Sequence, residues 1–355
     1  MLKTENFWAL CGVGHHGFHR KVLDCVNETT GMEIRFGHRR DDAEWTDHEA
    51  AWGLKDDASI GGRDVLIFSC PVTDKLELQL RDMVRACKQF GARSVTVILS
   101  FLRYRRQDHD EIRHELPRLK FFIQDMASWG VDYLFVCDPH SIENTQKFCN
   151  QVGIELFVCD PTQAFADAIM PTIQEVGAEN VRMLAPDFGS VRRAIMLGKA
   201  TGTKVLATPK DRLTGDTVNF DRNFDPAEFL DKIYRFYGDE VPVECELTDL
   251  SKLFIFTRED EVATGGTSKD SAIIVREAGA LGLYFVVTHP VCTPGWMRKL
   301  KIHYEEGRPF DKIWFGNTRL RGHEHFPYEE STGEIDEVDI APCLCSYLVK
   351  FLKQL

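Results

Sequence analysis

The architecture of this chain can be inferred by starting from one stretch, Lys252-Leu-Phe-Ile-Phe-Thr-Arg-Glu-Asp-Glu-Val-Ala-Thr-Gly-Gly-Thr267. Residues 253–256 are an apolar run that predicts a buried strand, and the acids Glu259 and Asp260 follow it. A Thr/Gly turn at 264–267 then leads into a helical pattern over 268–281. This order favours phosphate binding, because glycine lets the backbone approach a phosphate and the first N–H groups of a helix donate to it.

A purely structural explanation of the same turn stays open. Glycine supplies the positive φ that strand-to-helix corners need, and Thr267 or Ser268 can cap the helix without any ligand. The acids can hold sugar hydroxyls or a metal ion in a phosphate site, or they can simply be solvated. Further observations along the chain are therefore needed to choose between the two explanations.

Composition restricts the class of protein. The chain has 355 residues, 43% of them hydrophobic and 28% charged, which predicts one large or two ordinary globular domains. The net charge of −12 argues against a nucleic-acid partner and against an anionic membrane surface. We see no apolar run near the roughly 20 residues that span a bilayer and no signal-peptide pattern. We therefore expect a cytoplasmic protein whose eleven cysteines are reduced thiols.

Apolar runs alternate with amphipathic segments along nearly the whole chain, which predicts an α/β fold with parallel sheets flanked by helices. A boundary between two domains is expected near Pro161, and the polar segment 208–226 is expected to be a mobile loop. The predicted strands are 65–70, 94–99, 133–137, 154–159, 181–185, 204–207, 253–256, 283–288 and 312–315. The predicted helices are 74–90, 111–129, 163–176, 190–199, 268–281, 294–303 and 341–355.

Four polar clusters follow predicted strands, at the sheet edge where α/β proteins bind ligands. In the first cluster, Arg106 offers a planar fork to phosphate and Gln107 can hydrogen-bond to a base edge, with Asp108 directly after them. In the second, Asp138 and His140 can share a metal ion. A solvated basic turn and a structural histidine are the respective alternatives.

The third and fourth clusters add acids and cations. Asp187 closes a strand, where it can hold a metal-phosphate, and Arg192 and Arg193 follow in the first helical turn as phosphate ligands. Lys210 and Arg212 begin the polar loop, where two cations can close over a polyphosphate. An N-capped helix with a solvated basic face and a charged exposed loop are the structural alternatives. With the Thr/Gly turn, the four clusters predict one site for phosphates, a metal and a nucleotide.

The order of these motifs resembles that of the ribose-phosphate diphosphokinase (phosphoribosyl diphosphate synthetase) family over nearly the whole chain. The resemblance implies two phosphoribosyltransferase-type domains, each a mainly parallel sheet flanked by helices. The matching segments are 74–78 (family D-N-L-M-E-L), 101–108 (F-P-Y-A-R-Q-D), 138–140 (D-L-H), 185–189 (S-P-D-x-G), 210–212 (catalytic K-x-R), 259–267 (D-D-x-x-D-T-x-G-T) and 288–295 (T-H-G-x-x-S-G-P).

The resemblance also implies an activity, namely transfer of the β,γ-diphosphoryl group of Mg-ATP to the anomeric hydroxyl of a ribose 5-phosphate, with release of AMP. It implies an ATP-side domain of residues 1–160, joined by the terminal helix 336–355, and a ribose-phosphate domain of residues 161–335. A homo-oligomer built from dimers is expected. The implied roles are ATP binding for Phe36, His38, Arg40, Arg106, Gln107 and Asp108; Mg²⁺ binding for His140 and Asp187; catalysis for Lys210 and Arg212; and ribose-phosphate binding for Glu259, Asp260, Ala263, Thr264, Gly265, Gly266 and Thr267.

Several positions depart from the family pattern. Ala263 replaces the third acid of the ribose loop, and Glu259 stands where the family has Asp. His38 and Arg40 replace the Asn and Glu of the family's F-x-N-x-E, which begins here at Phe36. Loss of one carboxylate against a ribose hydroxyl should weaken binding by about 1–3 kcal/mol if the hydroxyl stays unpaired.

These departures leave the acceptor open between ribose 5-phosphate and ADP-ribose. The phage ADP-ribose diphosphate synthetases that rebuild NAD resemble this family, and an open loop at Ala263 with extra Arg suits a bulkier, more anionic acceptor. That hypothesis predicts a Trp- or Arg-bearing pocket beyond the 5-phosphate site. A non-catalytic synthetase-associated subunit is an alternative, against which the retained Lys210 and Arg212 argue. A phosphoribosyltransferase that consumes phosphoribosyl diphosphate is another, and it would not need Arg106 or Gln107.

Overall fold

The computed structural model describes residues 3–37, 39–44, 50–54, 60–109, 114–207, 210–211, 219–220, 225–238, 242–245, 250–300, 307–319 and 334–355. Its strands are β1 Phe7–Cys11, β2 Arg39–Glu44, β3 Ala50–Leu54, β4 Asp64–Ser69, β5 Ser94–Leu99, β6 Tyr133–Cys137, β7 Glu155–Cys159, β8 Val181–Ala185, β9 Lys204–Ala207, β10 Lys210–Asp211, β11 Asn219–Phe220, β12 Val243–Glu244, β13 Phe254–Val262, β14 Gly282–Pro290, β15 Lys312–Gly316 and β16 Ile335–Val338. Its helices are α1 His16–Thr30, α2 Asp74–Gln89, α3 Arg118–Trp129, α4 Ile142–Val152, α5 Thr162–Val176, α6 Val191–Thr201, α7 Pro226–Tyr237, α8 Gly266–Glu277, α9 Trp296–Lys299 and α10 Ala341–Leu352.

The chain divides into two compact units. Unit 1 comprises Met1–Pro161, Thr318–Leu320 and Ile340–Leu355, and unit 2 comprises Thr162–Asn317 and Arg321–Asp339. The expected α/β fold with two parallel sheets is confirmed, because every pairing within the two large sheets is parallel. No helix in the described part of the chain is both long and apolar enough to cross a membrane.

Unit 1 is built on a five-stranded sheet in the order β1-β4-β5-β6-β7. All residues of β4 and β5 are buried, as expected for central strands that are covered on both faces. One face packs against buried residues of α2, α3 and α4, such as Met83, Phe122 and Phe148. The ring of Phe351 from α10 packs on Phe135 of β6 and on Phe157 of the edge strand β7, with centroid distances of 5.0 and 4.8 Å. Besides α2, α3 and α4, the C-terminal helix α10 therefore also packs on this sheet.

Unit 2 is built on a seven-stranded sheet in the order β12-β9-β8-β13-β14-β15-β16. Its two central strands, β13 and β14, have nine residues each, whereas β8 has five. The pairing of β13 with β8 ends at Thr257 opposite Leu184, while its pairing with β14 continues to Val262 opposite Pro290. The carboxyl end of β13 therefore extends past β8, which positions the acids and the Thr/Gly turn at the sheet edge.

Three predicted boundaries are wrong in ways that matter for the site. β13 continues to Val262, so Glu259 and Asp260 lie within the strand and not after it. α3 begins at Arg118, because Pro117 disfavours helical backbone at the residue before it, and residues 114–117 are not helical. α9 is one short turn, Trp296–Lys299, where a helix over 294–303 was expected.

Other elements were not predicted. They include α1, α4 and α7, and the strands β1, β12 and β16. The segment 208–226, expected to be a loop, contains the short antiparallel pair β10 and β11. α7 begins directly after it, where the side chain of Asp225 accepts hydrogen bonds from the N–H groups of Ala227 and Glu228.

Candidate functional site

The predicted ribose-phosphate loop joins the carboxyl end of β13 to α8 in unit 2. Gly265 precedes the helix with φ +74°, and an added Cβ would lie 2.9 Å from the side chain of Leu300. Both the left-handed backbone and the lack of space require glycine at this position. Thr264 and Thr267 are exposed, and Thr264 Oγ1 accepts from the N–H of Gly266 at 3.3 Å. The loop thus presents two hydroxyl groups and the start of a helix to solvent.

The loop is supported by the segment that follows β14. The N–H of Cys292 donates to the carbonyl of Val262 at 2.9 Å, and the N–H of Thr293 donates to the carbonyl of Ala263 at 3.0 Å. In α9, Lys299 Nζ lies 3.5 Å from the point that a Cβ would occupy on Gly266. An ammonium group therefore lies beside the turn. Sequence reasoning missed Lys299, for which the signal was the basic pair Arg298-Lys299 within the helix predicted over 294–303.

The acids on β13 differ in accessibility. Glu259 is half-buried and Asp260 is 3% exposed, and Glu261, which follows them, is also buried. Successive residues of a strand face opposite sides of the sheet, so Glu259 and Asp260 are directed to different faces. Glu259 is therefore the more accessible of the two predicted ribose ligands.

Asp187 lies just beyond the end of β8, which is the strand that pairs with β13. Its Oδ1 accepts from the N–H of Ser190 at 2.9 Å, and Ser190 Oγ accepts from the N–H of Asp187 at 3.2 Å, which makes a capping box. The cap is thus present, while the half-buried side chain keeps some access to solvent. Of the two predicted phosphate ligands in α6, Arg192 is half-buried and Arg193 is only 9% exposed.

The predicted catalytic cations are described only in part. Lys210 lies on β10, where its backbone is paired with Phe220, and Arg212 lies outside the described residues. On the predicted ATP side, His38 also lies outside the described residues, and Arg40 is described only as a backbone position of β2.

Four predicted ATP ligands in unit 1 have described side chains, and three of them reach solvent at least in part. The half-buried Phe36 forms a backbone bridge with Ala9 of β1, and its ring is perpendicular to that of Phe68 at 5.5 Å. Arg106 and Gln107 are both exposed in the turn after β5, and the N–H of Gln107 donates to the carbonyl of Tyr104 at 2.8 Å. Both side chains are thus available to a ligand at the carboxyl end of the sheet.

Tyr104 fixes the shape of this turn. Its backbone has φ 60°, and its ring lies between the guanidinium groups of Arg103 and Arg118, at 4.6 and 4.3 Å. Its hydroxyl donates to Glu77 Oε2 at 2.9 Å, and burial together with that carboxylate raises the pKa of the phenol. The turn is therefore anchored to α2 and α3 rather than being a solvated basic loop.

Asp108 differs from its neighbours in the turn. It is 1% exposed, and no described residue donates a hydrogen bond to either carboxylate oxygen. His109 Nε2 lies 3.5 Å from Asp108 Oδ1. The fold therefore directs the carboxylate of Asp108 inward, whereas the predicted role in ATP binding would require that carboxylate to reach the ligand.

The predicted metal ligands lie one in each unit. His140 follows β6 in unit 1 and is exposed, whereas Asp187 belongs to unit 2. Within the described ranges, no group of three His, Cys, Asp or Glu side chains forms a metal site. Mg²⁺ prefers oxygen ligands and commonly takes only one or two carboxylates, completing its octahedron with water and substrate phosphates. The carboxylate of Asp187 fits that ion as a direct ligand, whereas the imidazole of His140 fits it through a coordinated water.

Comparisons with known proteins bear on this arrangement. No family model matches the chain. The chain is 25% identical over 244 residues to the chloroplastic ribose-phosphate pyrophosphokinase 2 of Arabidopsis thaliana, which covers 68% of this chain and 54% of that protein. It is 24% identical over 257 residues to the ribose-phosphate pyrophosphokinase of Mycoplasma pneumoniae, which covers 72% and 69%. The chain thus spans about half the length of the plant relative.

A solved structure shows the same fold. The phosphoribosylpyrophosphate synthetase from Mycobacterium smegmatis superposes with a TM-score of 0.71 and 18% identity, over 98% of this chain and 99% of that one. The family resemblance that the motifs carry is therefore confirmed at the level of homology and fold. The chain is a distant homologue of the ribose-phosphate pyrophosphokinases over most of its length.

Proposed function

We propose that this protein is a diphosphokinase that transfers the β,γ-diphosphoryl group of Mg-ATP to the anomeric hydroxyl of a ribose 5-phosphate and releases AMP. The observation that carries the proposal is the turn after β13. Exposed Thr264 and Thr267, the left-handed Gly265 and the ammonium group of Lys299 together suit a phosphate dianion. The half-buried Glu259 on the same strand suits a ribose hydroxyl.

The remaining residues supply the nucleotide side. The exposed Arg106 and Gln107 would hold ATP, with Phe36 against the base. His140 and Asp187 are each proposed as Mg²⁺ ligands, directly or through water, and Mg²⁺ neutralises charge on the β- and γ-phosphates when it is bound. Lys210 and Arg212 would stabilise the transferring group. Phosphoryl transfer depends on positioning and charge neutralisation, so the proposed roles require no covalent intermediate. The family resemblance further suggests a homo-oligomer built from dimers.

The dependence on the 5-phosphate is the direct test. Ribose 5-phosphate should be converted to a product whose ³¹P spectrum contains a new diphosphate on the anomeric oxygen, whereas ribose should react at least about a hundredfold less efficiently. Thr267→Val should reduce this preference, because it removes one donor from the phosphate loop. Equal reaction of the two sugars would contradict the role given to the turn.

A second acceptor, ADP-ribose, is favoured by one observation. Ala263 places a half-buried methyl group where the family has a carboxylate, which removes a negative charge from the path of a larger anion. Of the residues beyond the turn, Arg298 of α9 is exposed, whereas Trp296 is buried and does not offer a stacking surface. A comparison of kcat/KM for the two acceptors decides between them. Ala263→Asp should shift the ratio toward ribose 5-phosphate if ADP-ribose is the natural acceptor.

A further inference from the structure

Cys159 and Cys343 lie close to the two ends of unit 2 along the chain. Cys159 is the last residue of β7, shortly before unit 2 begins at Thr162, and Cys343 lies in the first turn of α10, shortly after unit 1 resumes at Ile340. Both cysteines belong to unit 1, and their sulfur atoms are 3.5 Å apart. The chain between them includes all of unit 2.

The two thiols differ in their access to solvent. Cys343 is half-buried, and its Sγ donates to the carbonyl of Asp160 at 3.1 Å. Cys159 is fully buried beside Cys137, which is its register partner on β6. Hydrogen bonds with Cys137 and Cys343, together with burial, raise the pKa of Cys159. A dissolved oxidant therefore reaches Cys343 before Cys159.

We infer that Cys159 and Cys343 form an oxidisable dithiol that closes to a disulfide when the protein meets a hydroperoxide. The sulfur of Cys343 attacks the peroxide, the O–O bond breaks, and a sulfenic acid forms while an alcohol, or water from hydrogen peroxide, leaves with a proton. The sulfur of Cys159 then attacks the sulfur of Cys343, the S–O bond breaks, and water leaves with the thiol proton of Cys159. Two electrons pass from the thiols to the peroxide.

The geometry favours this pair. A disulfide bond is about 2.05 Å long, so the sulfur atoms must approach by about 1.5 Å, which rotation of a half-buried side chain in the first helical turn can supply. The bond would close a loop that contains all of unit 2. Long loops lose the most conformational freedom in the unfolded state when they are cross-linked, so oxidation should raise the temperature of unfolding.

The test uses the full chain, treated with graded hydrogen peroxide, alkylated in denaturant and digested without reductant. We expect two of the eleven thiols to be lost and a Cys159–Cys343 cross-linked peptide to be found by mass spectrometry, both reversed by dithiothreitol. Oxidation should also raise the unfolding temperature. Cys343→Ser and Cys159→Ala should each abolish the cross-link and the temperature shift.

Cys25→Ser is the matched control, because Cys25 is also half-buried but lies in α1, where its thiol partner is Cys345 and not Cys159 or Cys343. The Cys25→Ser variant should still form the Cys159–Cys343 cross-link and still show the rise in unfolding temperature on oxidation. Recovery of Cys343 as sulfinic or sulfonic acid with Cys159 still alkylatable would overturn the inference. A cross-link from Cys343 to any other cysteine, or an unmodified pair at a peroxide dose that oxidises Cys25, would overturn it as well.

Discussion

A Cβ atom on Gly265 would lie 2.9 Å from Cγ of Leu300, so the Thr/Gly turn after β13 is packed directly against the end of α9. In Gly265→Ala the new methyl group would clash with Leu300, and a residue with a side chain would have to adopt a φ of +74°. We expect it to destabilise the protein by about 1–3 kcal/mol in urea unfolding. Gly266→Ala is the matched comparison, because its nearest contact is the flexible Lys299 at 3.5 Å. Equal losses of stability in the two variants would contradict this explanation of the loop.

Lys299 is expected to bind the phosphate of the acceptor. Because the ammonium group lies beside Gly266, Lys299→Ala should raise KM for ribose 5-phosphate about tenfold, with a smaller change in kcat. Arg298→Ala removes an exposed charge from the same short helix and controls for a general loss of positive potential. Steady-state kinetics with both variants make the comparison. An equal effect of the two substitutions would mean that Lys299 acts only through the general positive potential of α9 and does not contact the phosphate.

Asp187 combines a helix cap with a predicted metal ligand, and two substitutions separate these roles. Asp187→Asn retains an oxygen that accepts from the N–H of Ser190, so stability should change by less than about 0.5 kcal/mol while the Mg²⁺ requirement of the reaction rises. Ser190→Ala removes the hydroxyl half of the capping box and should cost about 1 kcal/mol without changing the Mg²⁺ requirement. Urea unfolding and a Mg²⁺ titration of activity measure the two effects. An unchanged titration in Asp187→Asn would leave Asp187 only its structural role.

His19 should make the stability of the protein depend on pH. Burial, with a smaller contribution from His15 and His16, lowers the pKa of His19 to about 3. An unfolded chain takes up the proton near pH 6.5, so the stabilising difference is complete above that pH and is lost as the pH falls toward 3. Between about pH 7.5 and about pH 5 the free energy of unfolding should fall by on the order of 2 kcal/mol from this residue alone.

The variant His19→Leu should remove that part of the pH dependence, because the buried titrating group is gone. His16→Gln alters an exposed histidine on the same helix and should leave most of the slope in place, because burial is the largest cause of the lowered pKa of His19. Chemical unfolding of the three proteins at both pH values measures the difference. A wild-type slope retained in His19→Leu would assign the dependence to other groups.

Much of the sheet could be predicted from sequence because central strands of a parallel sheet are nearly continuous apolar runs. The bounds of Ser94–Leu99 and Lys204–Ala207 agree with the prediction for this reason. The end of β13 could not be predicted in the same way, because Arg258, Glu259 and Asp260 are polar. They remain in the strand because β14 pairs with Arg258 and Glu259, and again with Glu261 and Val262, where β8 has ended.

The site residues were predictable only where a motif carries them. Lys299 belongs to no matched motif, and its position depends on how α9 packs against the loop, which is a tertiary contact between residues distant in sequence. The burial of Asp108, beside the exposed Arg106 and Gln107, likewise depends on tertiary packing that residue type does not indicate. Residue type and spacing thus indicated the chemistry, whereas packing determined which side chains are accessible.

The most direct measurement is the nucleotide released from Mg-ATP when ribose 5-phosphate or ADP-ribose is added. A diphosphokinase must release AMP, one molecule for each diphosphate that appears on the acceptor. Lys210→Ala should reduce the rate of AMP release at least about a hundredfold. Release of ADP, or consumption of ATP that does not depend on either acceptor, would contradict the proposed transfer of a diphosphoryl group.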